Sequence, residues 1–400
     1  MTEIKNELDI RGAGNLTIDS ITGITNLVES MHHTIVSLGG ILGEPNQNRT
    51  TGITGVVYRN IRTVSELVGG SIDLFLKQFS SLLGEKDSSP EREVVLAALN
   101  GVLGDHLATG NNPLAIPMQF RQNGVPLIMG DQALNQSVRQ SDSKIALMVH
   151  GSCMNDLLWN RRGHDHGAAL ACDLGYLPIY LHYNTGLHIS QNGREFADLI
   201  EVFIKQLPQP IELVIIAHSM GGLVSRGACH YGKVEGCSWL NHLRKIVFLG
   251  TPHHGAPLER AGNWIDTILE LSPYSAPFSR LGKIRSAGLT DLRYGNILDE
   301  DWKGRDRFEG SGDHRVAVPL PDGLQCYTIA ATTSKDSSIL GDQLIGDGLV
   351  TLNSALGHHK NTDFNLLFPE THQWIARDMN HLDLLNQPEV YETIKQWLEC

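Results

Sequence analysis

The chain has no long apolar run. No stretch approaches the ~20 apolar residues that a membrane-spanning helix requires. The opening Met-Thr-Glu-Ile-Lys-Asn-Glu-Leu-Asp lacks the basic-then-apolar order of a secretory signal. These two absences make a cytoplasmic location the expectation. A concentrated basic stretch is also missing, and the formal net charge is −12. Nucleic acid, a polyanion, is therefore excluded as the expected partner. The six cysteines, Cys153, Cys172, Cys229, Cys237, Cys326 and Cys400, are scattered without metal-site spacing; Cys153, Cys172, Cys229 and Cys326 lie within apolar or helical patterns, where buried free thiols are expected rather than a cysteine-held metal. There are no internal repeats and no low-complexity tract.

What is present suits a large globular fold. Hydrophobic residues make up 41% of the 400 positions and charged residues 19%, enough apolar material for a substantial core. At this length a main domain plus an addition is expected. The 41 glycines suit an α/β fold with many tight turns.

The most informative stretch is Ile211-Glu-Leu-Val-Ile-Ile-Ala-His-Ser-Met-Gly-Gly-Leu-Val-Ser-Arg226. Ile211–Ala217 is a short apolar run rich in β-branched residues, the pattern of a fully buried strand. A helix is expected from Leu223 onward. A strand that turns directly into a helix through a serine flanked by small residues forms a nucleophile elbow. The turn lifts Ser219 above the sheet edge, and Ala217 and Gly221 are small enough for strand and helix to approach there. The usual G-x-S-x-G has Ala at its first position in this chain, a mild departure because the requirement is size. The motif resembles that of the α/β-hydrolase fold, and within it that of bacterial lipases.

Around this stretch the chain divides. Residues 1–112 carry apolar residues at helical spacing over Ile21–Leu38, Ile53–Leu83 and Pro90–Leu107, with Ser89 and Pro90 as start signals. A helical cap or accessory region is expected. The sharper alternative is a peripheral membrane contact or partner-binding helix pair, disfavoured because the polar faces are not basic. Residues 113–400 alternate as an α/β domain. A hairpin is expected over Pro117–Arg121 and Val125–Met129 with an Asn-Gly turn. Strands follow at Ile145–His150, Leu177–His182, Ile211–Ala217, Lys245–Leu249 and Gln325–Ala331, with the last at Phe364–Phe368. Helices are expected around Asp156–Leu174, Asn192–Leu207 and Pro388–Leu398. Such alternation implies a mostly parallel sheet with helices on both faces. Residues 252–321 interrupt it, with amphipathic Leu258–Leu271 and a helix over Arg280–Tyr294; an insertion over the carboxyl edge of the sheet is where a lid and acyl pocket would sit.

A neutral serine is a poor nucleophile and needs a histidine base, itself steadied by a carboxylate; in this fold the order along the chain is Ser, acid, His. Ile345-Gly-Asp-Gly-Leu-Val350 offers an acid on a Gly-flanked loop, and Met379-Asn-His-Leu-Asp-Leu-Leu385 a base after the last strand. Both stretches resemble the secreted triacylglycerol lipases of the Pseudomonas and Burkholderia type, as do Ser354-Ala-Leu-Gly357 and Val149-His-Gly151. His150-Gly-Ser-Cys-Met-Asn-Asp-Leu and Ser286–Gly295 look closer to inositol-deacylase-like hydrolases. The resemblance covers roughly residues 144–398 and implies Asp347 and His381 as partners of Ser219. The rivals are His372 for the base and Asp342 for the acid; Asp383 is two residues past the proposed base, Asp363 is expected at the surface, and Asp322 sits too early, in a turn. His218, His253 and His254 are expected to shape the pocket or pack beneath its loop.

An oxyanion hole needs two backbone N–H groups. Met220, after the nucleophile, and Ser152, after His150-Gly151, are the candidates. The secreted lipases hold a structural calcium through the Asp two positions past the catalytic His, which is Asp383 here; no second carboxylate ligand can be placed, so no cofactor is expected and calcium is the minority reading. The expected activity is carboxylic-ester hydrolysis of a small-molecule ester or lipid through an acyl-enzyme. An acyltransferase or amidase with the same triad is the alternative, and beyond it a non-catalytic hydrolase-like binding protein.

Overall fold

The computed structural model describes residues 90–207, 210–256, 286–305, 313–335 and 346–399. The segments expected to be helical over Ile21–Leu38, Ile53–Leu83 and Leu258–Leu271, and the rival acid Asp342, lie outside the described residues.

An eight-stranded sheet forms the centre, in the order β2-β1-β4-β3-β5-β6-β7-β8. The strands are β1 (Gln119–Gln122), β2 (Val125–Pro126), β3 (Lys144–Val149), β4 (Leu177–His182), β5 (Glu212–His218), β6 (Leu243–Leu249), β7 (Gln325–Thr332) and β8 (Gln373–Arg377). β1 pairs antiparallel with β2 and β4, and every pairing from β4 to β8 is parallel. The β1–β2 turn uses Asn123 and Gly124 at φ 53° and 75°, the left-handed pair that matches hairpin twist.

Alternation along the strands sends residues to opposite faces. On β3, Ile145, Leu147 and Val149 join one apolar cluster, whereas Ala146 and Met148 join the other. The first cluster gathers α1 (Pro90–Thr109), α4 (Ile189–Lys205) and α5 (Met220–Glu235). The second gathers α3 (His166–Leu174) and α8 (Pro388–Glu399). The remaining helices are α2 (Gln132–Gln140), α6 (Ala287–Asp291) and α7 (Leu352–Ala355). A mostly parallel sheet, helices on both faces and a nucleophile-elbow turn after β5 make this the α/β-hydrolase fold. The strand order reverses at β3, between β4 and β5. Crevices at the carboxyl ends of strands beside such a switch point are where α/β proteins bind ligands.

Several elements differ from expectation. The last strand is Gln373–Arg377, not Phe364–Phe368. Phe364–Phe368 is instead a loop that tucks Leu366 and Phe368 into the core and leaves Leu367 85% exposed. The helix expected over Asp156–Leu174 splits into one short turn, Asp156–Trp159, and α3. Arg162 and Gly163, at φ 52° and 79°, reverse the chain between them. Of the helix expected over Arg280–Tyr294, α6 (Ala287–Asp291) is described. α2 forms in a polar stretch and buries only Leu134 and Val138. α1 lies inside the sheet's own core, with Ala98, Leu99, Val102, Leu103 and Leu107 all buried in the first cluster. Among the described residues no helix is long and apolar enough to cross a membrane.

Candidate active site

Ser219 sits at φ 55° and ψ −125°, between the end of β5 and the start of α5. A non-glycine residue at such an angle is strained and persists only where its surroundings hold it. Its amide donates to Leu249 O at 2.8 Å, pinning it to the end of β6. The glycines around it are required by close approach. A Cβ on Gly221 would lie 2.5 Å from Val149 O and 2.6 Å from His150 O; one on Gly151 would lie 2.9 Å from Ser219 Cβ. The loop after β3 is therefore pressed against the serine. Ser219 is 2% exposed, and its Oγ has no hydrogen-bond partner among the described residues.

His381 lies four residues past β8. Its Nδ1 is 2.6 Å from Asp347 Oδ2, and its amide donates to Asp347 O at 3.1 Å. Asp347 Oδ1 accepts from the amides of Leu349 and Val350 at 2.9 and 2.8 Å. The loop bends this tightly because Gly346 and Gly348 adopt φ 52° and 94°; a Cβ on Gly346 would lie 1.9 Å from Val350 O. The short bond to Asp347 assigns the His381 proton to Nδ1. Nε2 is left as the basic nitrogen, buried and without a partner among the described residues.

His381 is beside the elbow. Its ring stands 4.7 Å from that of His218, the residue before Ser219, and a Cβ on Gly250 would touch it at 3.1 Å. His218 Nε2 is 3.1 Å from His381 O. Burial, helped by the neighbouring His381, holds the His218 imidazole well below its usual pKa. It is therefore neutral and donates through Nε2–H, fixing the backbone that carries His381.

The loop after β3 comes against Ser219 at Gly151. His150 is buried, stacked on Tyr183 at 4.4 Å and bonded through Nδ1 to Gly151 O at 2.9 Å; desolvation lowers its pKa to about 3. Tyr183 Oη–H donates to His150 O at 2.9 Å, and Thr185 Oγ1 accepts from the Cys153 amide at 3.1 Å. Tyr183 and Thr185 escape a motif search because they lie in an ordinary loop after β4. Opposite stands Met220, first residue of a 16-residue helix, whose leading N–H groups have no intrahelical acceptor and carry the positive end of the dipole.

The rivals sit elsewhere. His372 precedes β8 rather than following it, because the strand lies later than expected; its Nδ1 contacts Cys326 O at 3.1 Å, at the amino end of β7, the opposite edge of the sheet. Asp322 is exposed and pairs with Lys233 at 2.8 Å, and Asp363 is exposed in a turn capped by Asn361. His253 packs edge-on against Phe248 beneath the loop after β6. The His254 amide donates to Ser354 Oγ at 3.1 Å. Desolvation lowers His254 to about 3. Asp383 Oδ2 accepts from the Asn380 amide at 3.0 Å, and its Oδ1 stands 3.9 Å from Arg162. Among the described residues no three His, Cys, Asp or Glu gather as a metal group. With a guanidinium rather than a second carboxylate beside Asp383, these residues do not fit a calcium.

A family model described as "PGAP1-like alpha/beta domain" matches residues 186–313. No curated protein matches the chain. Among solved structures, the mature lipase BlEst2 of Bacillus licheniformis is similar at 16% identity, over 70% of this chain and 98% of that one, with a TM-score of 0.41. EstA of Clostridium botulinum is similar at 15% identity, over 81% and 97%, with a TM-score of 0.39. A lipase-esterase related protein of Clostridium acetobutylicum is similar at 15% identity, over 70% and 98%, with a TM-score of 0.36.

Proposed function

We propose that the chain is a serine hydrolase of carboxylic esters. The carrying observation is a strained, buried serine whose hydroxyl has no partner among the described residues, beside a histidine whose other ring nitrogen is held at 2.6 Å by a buried carboxylate. Unpaired buried polar atoms are rare in folded proteins and call for an explanation; a reacting carbonyl arriving between Ser219 Oγ and the loop at Ser152 supplies one.

In the first half-reaction Ser219 Oγ attacks the ester carbonyl while His381 Nε2 takes its proton. The charge forming on the carbonyl oxygen is met by the N–H groups of Met220 and Ser152. Collapse breaks the bond to the alcohol, which leaves with the proton from His381. Water then attacks the acyl-serine by the same route, returning the hydroxyl of Ser219 and releasing the acid. Asp347 keeps the imidazole in the productive tautomer throughout and stabilises its transient positive charge. The apolar residues of the 252–321 insertion support an acyl group larger than acetate, with that insertion as lid. The helical region over residues 1–112 serves this chemistry as a cap or accessory.

The same acyl-enzyme could pass its acyl group to an alcohol, so the assay measures released acid and transferred ester together. Ser219→Ala should abolish hydrolysis of p-nitrophenyl esters by the pure protein. Activity that survived in the variant would remove the mechanism.

A further inference from the structure

α1 precedes the β1–β2 hairpin and supplies none of the reacting groups, yet it lies directly against the loop that carries one of them. Its Gly101 faces Cys153, the residue after Ser152. A Cβ on Gly101 would stand 2.3 Å from Cys153 Sγ and 2.9 Å from its Cα, so helix and loop meet with no room for even a methyl group. Cys153 itself is buried at φ 59°, an angle that costs a non-glycine residue free energy unless both sides are braced. One brace is Thr185 Oγ1, accepting the Cys153 amide at 3.1 Å. The other is the helix backbone at Gly101.

The helix is in turn fastened to the elements that surround the site. Asn184 Nδ2 donates to Gly104 O at 2.9 Å, and a Cβ on Gly104 would stand 1.9 Å from Asn184 Oδ1. Ser286 Oγ–H donates to Gly101 O at 2.6 Å, and the Ala287 amide to Asp105 Oδ2 at 3.0 Å. Asn100 locks the following chain by donating to Leu114 O at 2.8 Å and accepting from the Ile116 amide at 2.9 Å. One helix therefore grips the loop after β3, the loop after β4 and the returning end of the insertion.

We propose that Gly101 is a positioning residue for the oxyanion hole. Through Cys153 it sets the pitch of the 151–153 backbone, and so the direction of the Ser152 N–H. This rests on the serine-hydrolase reading above. A methyl wedge at Gly101 would tilt the peptide without touching substrate, so the loss falls on the transition state rather than on binding.

The test uses the full chain and four variants: Gly101→Ala, Cys153→Gly, Cys153→Ser and the Gly101→Ala/Cys153→Gly double. Removing one oxyanion donor costs roughly 100- to 1,000-fold in kcat in related chemistry, so a tilted donor in Gly101→Ala should cost on the order of tenfold to 100-fold, with KM held within about threefold. Cys153→Gly removes the braced atom and should lower kcat several-fold, although glycine suits φ 59° better; Cys153→Ser keeps a γ atom and should stay near wild type. In the double variant the 2.3 Å clash with Sγ is gone and only the 2.9 Å approach to the Cα of residue 153 remains, so kcat should recover above that of Gly101→Ala. Multiplicative losses in the double variant, or equal rates for Cys153→Gly and Cys153→Ser, would overturn the proposal. If Gly101→Ala alone does not fold, the two Cys153 variants decide it. Failure of the hydrolase reading itself shows separately, as a wild-type protein that hydrolyses no ester.

Discussion

Replacing Asp347 by Asn changes one atom and separates two roles of this carboxylate. Oδ1 holds the loop through the amides of Leu349 and Val350; Oδ2 holds His381 Nδ1. An asparagine can keep its carbonyl oxygen toward the two amides, and its NH2 group then faces Nδ1. Two donors cannot share that contact. The alternative, turning the amide to face its oxygen to His381, would set NH2 against two buried N–H groups, each costing about 1–3 kcal/mol when unsatisfied. Changing the tautomer is cheaper: His381 moves its proton to Nε2 and accepts through Nδ1 from the introduced side-chain amide. Nε2 then has no lone pair to take the proton of Ser219. The equivalent change in serine proteases lowers kcat about 10⁴-fold, about 5 kcal/mol in barrier height. The expected result for Asp347→Asn is therefore a loss of three to four powers of ten in kcat against a p-nitrophenyl ester. KM should change little, and the thermal midpoint should stay within a few degrees because the loop bonds survive. A variant within tenfold of wild type would refute the assignment of Asp347 as the residue that orients the base.

Other predictions concern the frame. Gly221→Ala would drive a methyl group into two backbone oxygens at 2.5 and 2.6 Å; overpacking of this kind costs about 1–3 kcal/mol or more, so the urea midpoint should fall, and an unchanged midpoint would mean that strand and helix have slack at the elbow. His166 is buried, shares a hydrogen bond of 2.8 Å between its Nδ1 and His164 Nε2 and bonds Leu384 O at 2.9 Å through Nε2; desolvation lowers its pKa to about 4. The unfolded chain therefore binds the extra proton between pH 6.5 and about 4. Stability from this group is complete above pH 6.5 and is lost as pH falls toward 4, by about 3 kcal/mol. In urea titrations across that window His166→Gln should flatten the acid limb; the same slope in the variant would remove His166 as its source.

The elbow was legible because its constraints are local. Ile211–Ala217 is an uninterrupted run of buried-strand residues, and the small residues at 217 and 221 answer a steric demand visible within five positions. The loops bearing Asp347 and His381 were legible through their resemblance to the Asp-Gly-Leu-Val and Asn-His-Leu-Asp runs of secreted lipases, helped by the glycines around Asp347 and by their order along the chain. Edge structure was not. Gln373-Trp-Ile-Ala-Arg377 is a strand only because β7 pairs with it, with Ala376 its one fully buried residue, whereas Phe364–Phe368 has the apolar content of a strand but packs as a loop. That displacement is also what removes His372 from the site. The setting of α1 was hidden for a different reason: its close approach to Cys153 depends on Gly101 and Gly104, and glycines within an apolar helix carry no sign of what they touch.

The central claim is a covalent bond from Ser219 to the group it attacks. Incubating the protein with a fluorophosphonate and mapping the adduct by peptide mass spectrometry measures it directly. The expected result is one phosphonyl group per chain on the peptide bearing Ser219, with hydrolysis lost in proportion to labelling and no adduct in Ser219→Ala. An unlabelled Ser219 in a protein that hydrolyses esters, or an adduct on another residue that tracks the loss of activity, would contradict the claim.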